Sequence, residues 1–215
     1  LTHEIMNSIT PISSLSQTIE GLLNVEVQDE ESLGDIKTGL HTIHKRSEGL
    51  IEFVNNYRRL TRIPMPDYSI VRICRLFIQI EKLLEGKLAG GNISFRSSVE
   101  PESLELTIDE KLIEQVLLNL IINSIEAVKE TKDPEIELRA VMGEGGQILV
   151  HVKDNGSGIL EDVQDKIFIP FFTTKESGSG IGLSLARQIM RQHNGMIRVY
   201  SKPDECTVFT LVFNS

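Results

Sequence analysis

Four short segments between residues 109 and 183 carry residue types that suit phosphate, metal and base. Asn119-Leu-Ile-Ile-Asn123 sets two carboxamides four residues apart, on one face of a helix. A carboxamide oxygen is a hard, neutral ligand for Mg²⁺ that shares its shell with phosphate oxygens and water. Two polar residues at this spacing can also simply face solvent. Here, though, Leu117, Leu118, Leu120, Ile121, Ile122 and Ile125 make the helix apolar almost all round, so asparagines among them need a reason. Asp154-Asn155-Gly156-Ser157-Gly158-Ile159 follows an alternating segment. Its Asp can accept a hydrogen bond from an exocyclic amine such as adenine N6, while the glycines let backbone turn and approach a base. The same pattern also occurs as a plain β-turn. Phe168-Ile-Pro-Phe171-Phe172-Thr173-Thr174-Lys175 joins an apolar anchor to a lysine. That lysine can reach phosphate as a point charge, or lie on a surface loop. Gly178-Ser179-Gly180-Ile181-Gly182-Leu183 leads into a helix, where free N–H groups and the helix N-terminus suit a triphosphate. It follows a loop and not a strand, so it is no dinucleotide fingerprint. No Gly-Lys-Ser/Thr follows, so it is no Walker loop.

A phosphoryl group needs an acceptor, and a neutral imidazole is a good one. The chain has His3, His41, His44, His151 and His193. His41 and His44 are one helical turn apart and fit an exposed face. His151 falls on a strand outside the glycine loop. His193 closes a helix, where a cation suits the dipole. His3 differs through its neighbours, His3-Glu4-Ile-Met-Asn7 with Pro11 beyond. Asn at position 7 removes the zinc reading that HExxH would carry. From spacing alone, the segment reads rather as the polar face of an N-terminal helix.

The elements that must position these residues follow from periodicity. Residues 1–60 have helical spacing, with Ile5, Ile9, Ile12, Ile19, Leu22 and Leu23 on a first helix. A polar turn at 27–32 precedes a second helix N-capped by Ser32, carrying Leu33, Ile36, Leu40, Ile43, Leu50, Val54, Tyr57 and Leu60. Each helix has an apolar stripe that a lone hairpin cannot cover, so dimerisation into a four-helix bundle is expected. Pro64-Met65-Pro66 marks a boundary. The expected domains are 1–63 and 67–215. Beyond the boundary the pattern predicts a helix over 71–86, a hairpin of 92–98 with 103–108, and a long helix over 109–130. Strands are expected at 135–142 and 147–153, a glycine-rich stretch at 154–180, a helix at 181–194, and closing strands near 196–201 and 206–213. The fold class is α+β.

The bulk composition agrees. The 215 residues are 40% hydrophobic, enough for a core, and the net charge of −9 argues against general nucleic-acid binding. Cys74 and Cys206 form no framework or zinc pattern, so a reducing cytoplasm is the expected setting. No apolar run reaches membrane-spanning length. The opening Leu1-Thr2-His3, with no initiator Met, reads as a fragment, which leaves room for an upstream membrane or sensor region.

Together these motifs resemble the catalytic ATP-binding domain of histidine kinases, within the gyrase–chaperone–kinase ATPase superfamily, over residues 109–213. Asn119/Asn123 resembles the N box, 154–158 and 178–182 the two glycine boxes, and 168–172 the F box. Asn194-Gly195-Met-Ile-Arg-Val-Tyr-Ser and Thr207-Val-Phe-Thr-Leu resemble the family's ending, with Cys206 where a glycine is common. The resemblance implies a two-layer α/β sandwich with an ATP lid at about 160–180. It implies that Asn123 coordinates Mg²⁺ and that Asn119 supports it. Asp154 would read adenine beside Gly156 and Gly158, and Thr174, Lys175, Gly178, Gly180, Ile181, Gly182 and Leu183 would surround the phosphates. The superfamily's hydrolysing members have a glutamate at the place of Asn119, and a carboxamide is no base for water. His3-Glu4-x-x-Asn7 resembles the kinase H box, although Pro11 stands eight residues after the histidine where five is usual. The implied reaction is autophosphorylation of His3, with Glu4 hydrogen-bonding or deprotonating the imidazole N–H, then transfer to an aspartate of a response-regulator receiver domain. Asn7 would orient water for the reverse phosphatase reaction or help position ATP. The alternative is a nucleotide-gated interaction module with an inert His3.

Overall fold

The computed structural model describes residues 2–24, 30–175 and 178–214; the side chains of His3, Glu4 and Asn7 lie outside that description. The chain divides into two compact units, residues 1–61 and 62–215. The first consists of α1 (Thr2–Asn24) and α2 (Glu30–Thr61), packed on each other. Ile19, Ile36 and Leu60 are its buried apolar side chains. Gly39 lets the helices come close, since a Cβ there would stand 2.9 Å from Ile19 Cδ1. Leu33, Leu40, Ile51, Val54 and Tyr57 stay exposed on α2. α1 continues through Pro11, which has no N–H to give the preceding turn. The Ser32 cap is corrected: α2 is already helical at Glu30. The expected polar turn falls largely on residues 25–29, outside the described ones.

The second unit runs β1 (Ser69–Arg72), α3 (Ile73–Gly90), β2 (Ser94–Glu100), β3 (Glu105–Ile108), α4 (Glu110–Ala127), β4 (Glu135–Met142), β5 (Ile148–Asp154), α5 (Glu161–Gln164), α6 (Gly182–Gln192), β6 (Met196–Lys202) and β7 (Cys206–Phe213). A five-stranded mixed sheet has the order β2-β4-β5-β7-β6, with β2 and β4 parallel and the other pairs antiparallel. The helices α3, α4 and α6 pack on the sheet and on one another. The buried side chains between the layers include Leu120, Ile121, Leu138, Val152, Ile189 and Leu211.

Two expectations fail here. Residues 92–98 and 103–108 form no hairpin: β2 pairs with β4, and β3 pairs with β1. Two short alternating runs beside a turn look like a hairpin locally. Here α4 carries the chain across, and a crossover helix is what lets β2 and β4 run parallel. The predicted helix over 71–86 begins later, because Ile70-Val71 belong to β1; β-branched pairs favour that choice.

His193 also departs from the cation expected at a helix end. It is buried after α6, where its Nε2 accepts from the Asp109 backbone N–H at 3.1 Å and its Nδ1–H donates to the Ile189 carbonyl at 2.8 Å. These two partners require the neutral ring. Tyr68 meets it edge-on and donates its hydroxyl to the Gln192 carbonyl. Asp109 in turn caps α4, accepting from Leu112 N–H at 3.0 Å and from Asp67 N–H at 2.9 Å. The start of α4 and the end of α6 are thus tied to the segment entering β1.

Burial pushes the Asp109 carboxyl upward, but N–H donors from Asp67, Leu112 and Lys111 outweigh it and lower it below 3.8. A folded value below the unfolded one means stability that is present above about pH 4 and lost as pH falls through the lowered value. Asp109→Ala is therefore expected to cost about 1 kcal/mol at neutral pH. Chemical denaturation across pH should show the gap between variant and parent closing in acid.

Candidate functional site

One end of α4, the end of β5, the start of α6 and the segment between them enclose a cavity of about 620 Å³. The α4 helix positions its wall. Leu112, Ile113, Val116, Leu117, Leu120 and Ile121 bury one side of the helix, which leaves Asn119, Asn123 and Glu126 as a stripe facing the cavity. Their i, i+4, i+7 spacing is that of one helical face. Asn119 Nδ2 donates to the Gly182 carbonyl at 3.2 Å and so joins α4 to the start of α6. Asn123 Oδ1 accepts from Lys175 Nζ at 3.0 Å, and the same ammonium lies 2.6 Å from Glu126 Oε2. The hydrogen bond from Lys175 lowers the Glu126 carboxyl, against an opposing effect of burial, with Lys129 and Lys87 adding to the lowering.

The inward phase of β5 runs Ile148, Val150, Val152 and Asp154, so the aspartate arrives at the cavity floor by strand alternation. It is only 2% exposed. Ser124 Oγ donates to its Oδ2 at 2.7 Å and Gly156 N–H donates to its Oδ1 at 3.1 Å. Burial pushes its carboxyl up, opposed by those two donors and by Lys175. Thr207 on β7 sits opposite Asp154 in the sheet, is buried, and lines the cavity. Ile159, Leu160, Val163, Ile167, Phe172 and Phe209 supply apolar wall beside it. A flat heteroaromatic ring with a hydrogen-bonding edge suits such a place.

The opposite end is built for negative charge. Ile181 gives α6 no side-chain cap, and Ile181, Gly182 and Leu183 line the cavity, so the positive end of the helix forms part of its wall. Phe171 N–H donates to the Gly180 carbonyl at 2.9 Å, which closes the base of the loop carrying Thr174, Lys175 and Gly178. Gly180 has φ +66°, and a Cβ there would stand 2.5 Å from the Phe171 carbonyl carbon. Arg187 of α6 lies over the Phe168 ring at 5.5 Å and holds the F-box segment from outside.

Of the residues expected at the site, Asn119, Asn123, Asp154, Gly158, Thr174, Lys175, Gly178, Gly180, Ile181, Gly182 and Leu183 line this one cavity. Gly156 lies behind it, where its lack of a side chain lets β5 meet the end of α4. Gly182 is not sterically required, since a Cβ there meets Asn119 only at 3.6 Å. In the sequence, Ser124 and Glu126 do not stand out, and Thr207 reads only as part of the closing segment and not as a site residue. The i+7 spacing of Glu126 from Asn119 signals it; Thr207 becomes visible only through strand register. The oxygens of Asn123 and Glu126 already hold a cation, the Lys175 ammonium, so hard-oxygen donors for a metal are in place. The exposed Lys175–Glu126 pair is worth only about 0.2–1 kcal/mol, little against the roughly 8 kcal/mol of a micromolar ligand. An arriving charged ligand can displace it.

Residues 108–215 match the family described as histidine kinase-, DNA gyrase B- and HSP90-like ATPase. The signal transduction histidine-protein kinase AtoS of Escherichia coli is 30% identical over 99% of this chain and 33% of its own length. Sporulation kinase A of Bacillus subtilis is also 30% identical, again over 99% of this chain and 33% of its own length. The chain thus spans about a third of these curated relatives. Among solved structures, the catalytic domain of histidine kinase ThkA is 31% identical with a TM-score of 0.62, covering 68% of this chain and 97% of that one. ThkA in complex with response regulator protein TrrA is 27% identical with a TM-score of 0.67, covering 99% of this chain and 59% of that one.

A Cβ at Gly156 would stand 2.5 Å from the Ala127 carbonyl oxygen. Gly156→Ala is expected to lose about 1–3 kcal/mol, by the cost of overpacking, while Gly182→Ala at the helix start is neutral or slightly stabilising. Denaturant midpoints of the two variants check the contrast.

Proposed function

The chain belongs to the histidine kinase-, DNA gyrase B- and HSP90-like ATPase family, and from that premise we propose that it is a protein-histidine kinase core that moves the γ-phosphoryl group of Mg–ATP onto His3. The observation that carries this reading is the joining of buried Asp154, Asn123 and the glycine loop in one cavity, with a carboxamide at position 119. Asp154 accepts from the adenine amine, with Thr207 beside it. The apolar wall of Ile159, Leu160 and Phe172 covers the base, and the α6 N-terminus with Gly178 and Gly180 faces the phosphates. Lys175 leaves Asn123 for the phosphate oxygens. Asn123 holds Mg²⁺, which when bound neutralises charge on those oxygens. Asn119 donates to the Gly182 carbonyl and is no base for water, so ATP is kept for a better nucleophile.

That nucleophile is the His3 imidazole. One ring nitrogen bonds to phosphorus as the bond to the bridging oxygen breaks and its electron pair leaves with ADP. Glu4 takes the proton from the other nitrogen. Asn7 orients water in the reverse phosphatase reaction, and a receiver-domain aspartate takes the phosphoryl group forward. The response-regulator complex of the similar kinase ThkA supports that partner. Residues 1–63 act as the dimerising phosphoacceptor hairpin and 67–215 as the catalytic domain, with residues 160–180 as its lid. The exposed row of Leu33, Leu40 and Val54 on α2, in steps of seven or fourteen, supports a four-helix bundle with a second copy. No helix among the described residues is long and apolar enough to cross a membrane. We place this core in the cytoplasm, on its own or as the cytoplasmic part of a membrane-anchored sensor.

With radiolabelled ATP and Mg²⁺, the chain should acquire an acid-labile, base-stable label that is absent in His3→Gln. Label persisting in that variant moves the acceptor elsewhere, and nucleotide binding without any label favours the gated interaction module. Asn123→Ala and Asp154→Ala should each weaken nucleotide binding at least tenfold, about 1.4 kcal/mol or more; calorimetry showing normal affinity in both would refute the site.

A further inference from the structure

The carboxylate of Glu126 has no part in the mechanism above. It ends the polar stripe of α4 and faces the cavity one turn beyond Asn123. One cation already sits between these two side chains. The Lys175 ammonium is 2.6 Å from Glu126 Oε2 and 3.0 Å from Asn123 Oδ1. A single positive centre therefore satisfies a neutral and an anionic oxygen at one point of the wall. Mg²⁺ binds hard oxygens of this kind, commonly one or two carboxylates with waters and substrate phosphates. Asn123 alone brings no charge to the metal. The other carboxylate lining the cavity among the described residues, Asp154, is committed to Ser124 and to Gly156 N–H.

We propose that Glu126 is a second protein ligand of the Mg²⁺ that Asn123 holds, and that the Lys175 ammonium occupies the metal's place between them when nucleotide is absent. Metal and lysine then exchange on one pair of oxygens. Arrival of Mg–ATP frees the lysine for the phosphates, and departure of the metal returns it. This rests on the nucleotide-site reading. It differs from a simple ion pair, in which Glu126 would serve only to hold the lysine.

The test is binding of a fluorescent ATP analogue to the 215-residue chain, in EDTA and across a Mg²⁺ titration. It uses the unaltered chain, Glu126→Gln, Lys175→Ala and the double variant. As a ligand, Glu126 makes Glu126→Gln raise the Mg²⁺ midpoint about tenfold, the order seen when metal-site residues are removed. Affinity in EDTA stays equal or rises. The same shift persists between Lys175→Ala and the double variant, where no lysine remains to be held; Glu126→Ala, which has no oxygen to offer, shifts the midpoint at least as far. A midpoint shift under threefold in the Lys175→Ala background overturns the proposal, as does a loss of affinity already present in EDTA. If the unaltered chain binds no nucleotide in either medium, the nucleotide-site reading falls and Glu126 with it. Normal nucleotide binding with an unmoved midpoint removes Glu126 alone.

Discussion

The hydrogen bond from Ser124 Oγ to Asp154 Oδ2 fixes the rest of the site. A carboxylate taken out of water costs several kcal/mol unless donors replace the lost hydration. The chain supplies one donor from α4 and one from the turn after β5. Satisfying Asp154 therefore sets the height of the helix against the sheet. With that height fixed, the asparagine stripe of α4 meets the start of α6, and the bond from Asn119 to the Gly182 carbonyl follows. The second tie between these helices lies at their far ends, where Asp109 and His193 meet. α6 is thus tied to the α4 segment at both of its ends, by Gly182 at its start and His193 after its end, and the cavity lies at its start.

Much of this was legible in the sequence. Asn119 and Asn123 stood out because amides in an apolar helix demand an explanation, and the alternation of β5 delivered Asp154 to the inner face. Local patterns serve well where a residue's role depends on its own element. They served less well where a role depends on pairing. The segments 92–98 and 103–108 have the look of a hairpin, yet they enter different sheets, because strand partnership is decided by what α4 carries across. Thr207 belongs to the floor of the cavity only through its register with Asp154. The alternation of its own strand marks Thr207 as inward-facing but does not say which residue it will meet.

His193 shows the same limit from another side. A histidine at a helix end suggests a cation, and the dipole argument is sound for an exposed ring. Burial reverses it. An imidazole that must accept from one backbone N–H and donate to one carbonyl cannot carry a second proton, and the ring becomes a neutral two-ended connector. Its donor lies 84 residues away in sequence, so only the fold reveals it.

The bond between Phe171 N–H and the Gly180 carbonyl has a consequence for how such a chain can diverge. It closes the segment at its base, so whatever lies between the two residues is a loop whose ends are already fixed. The entropy of closing a loop grows only slowly, by about 0.6 kcal/mol for each doubling of its length. Residues can therefore be added or removed between these anchors with little change in global stability, while the cavity floor keeps its shape. Length there can be tuned to the reacting partner so long as Thr174, Lys175 and Gly178 still reach the cavity. The fold thus separates a part that must be conserved to stand up from a part that can drift to change speed or specificity.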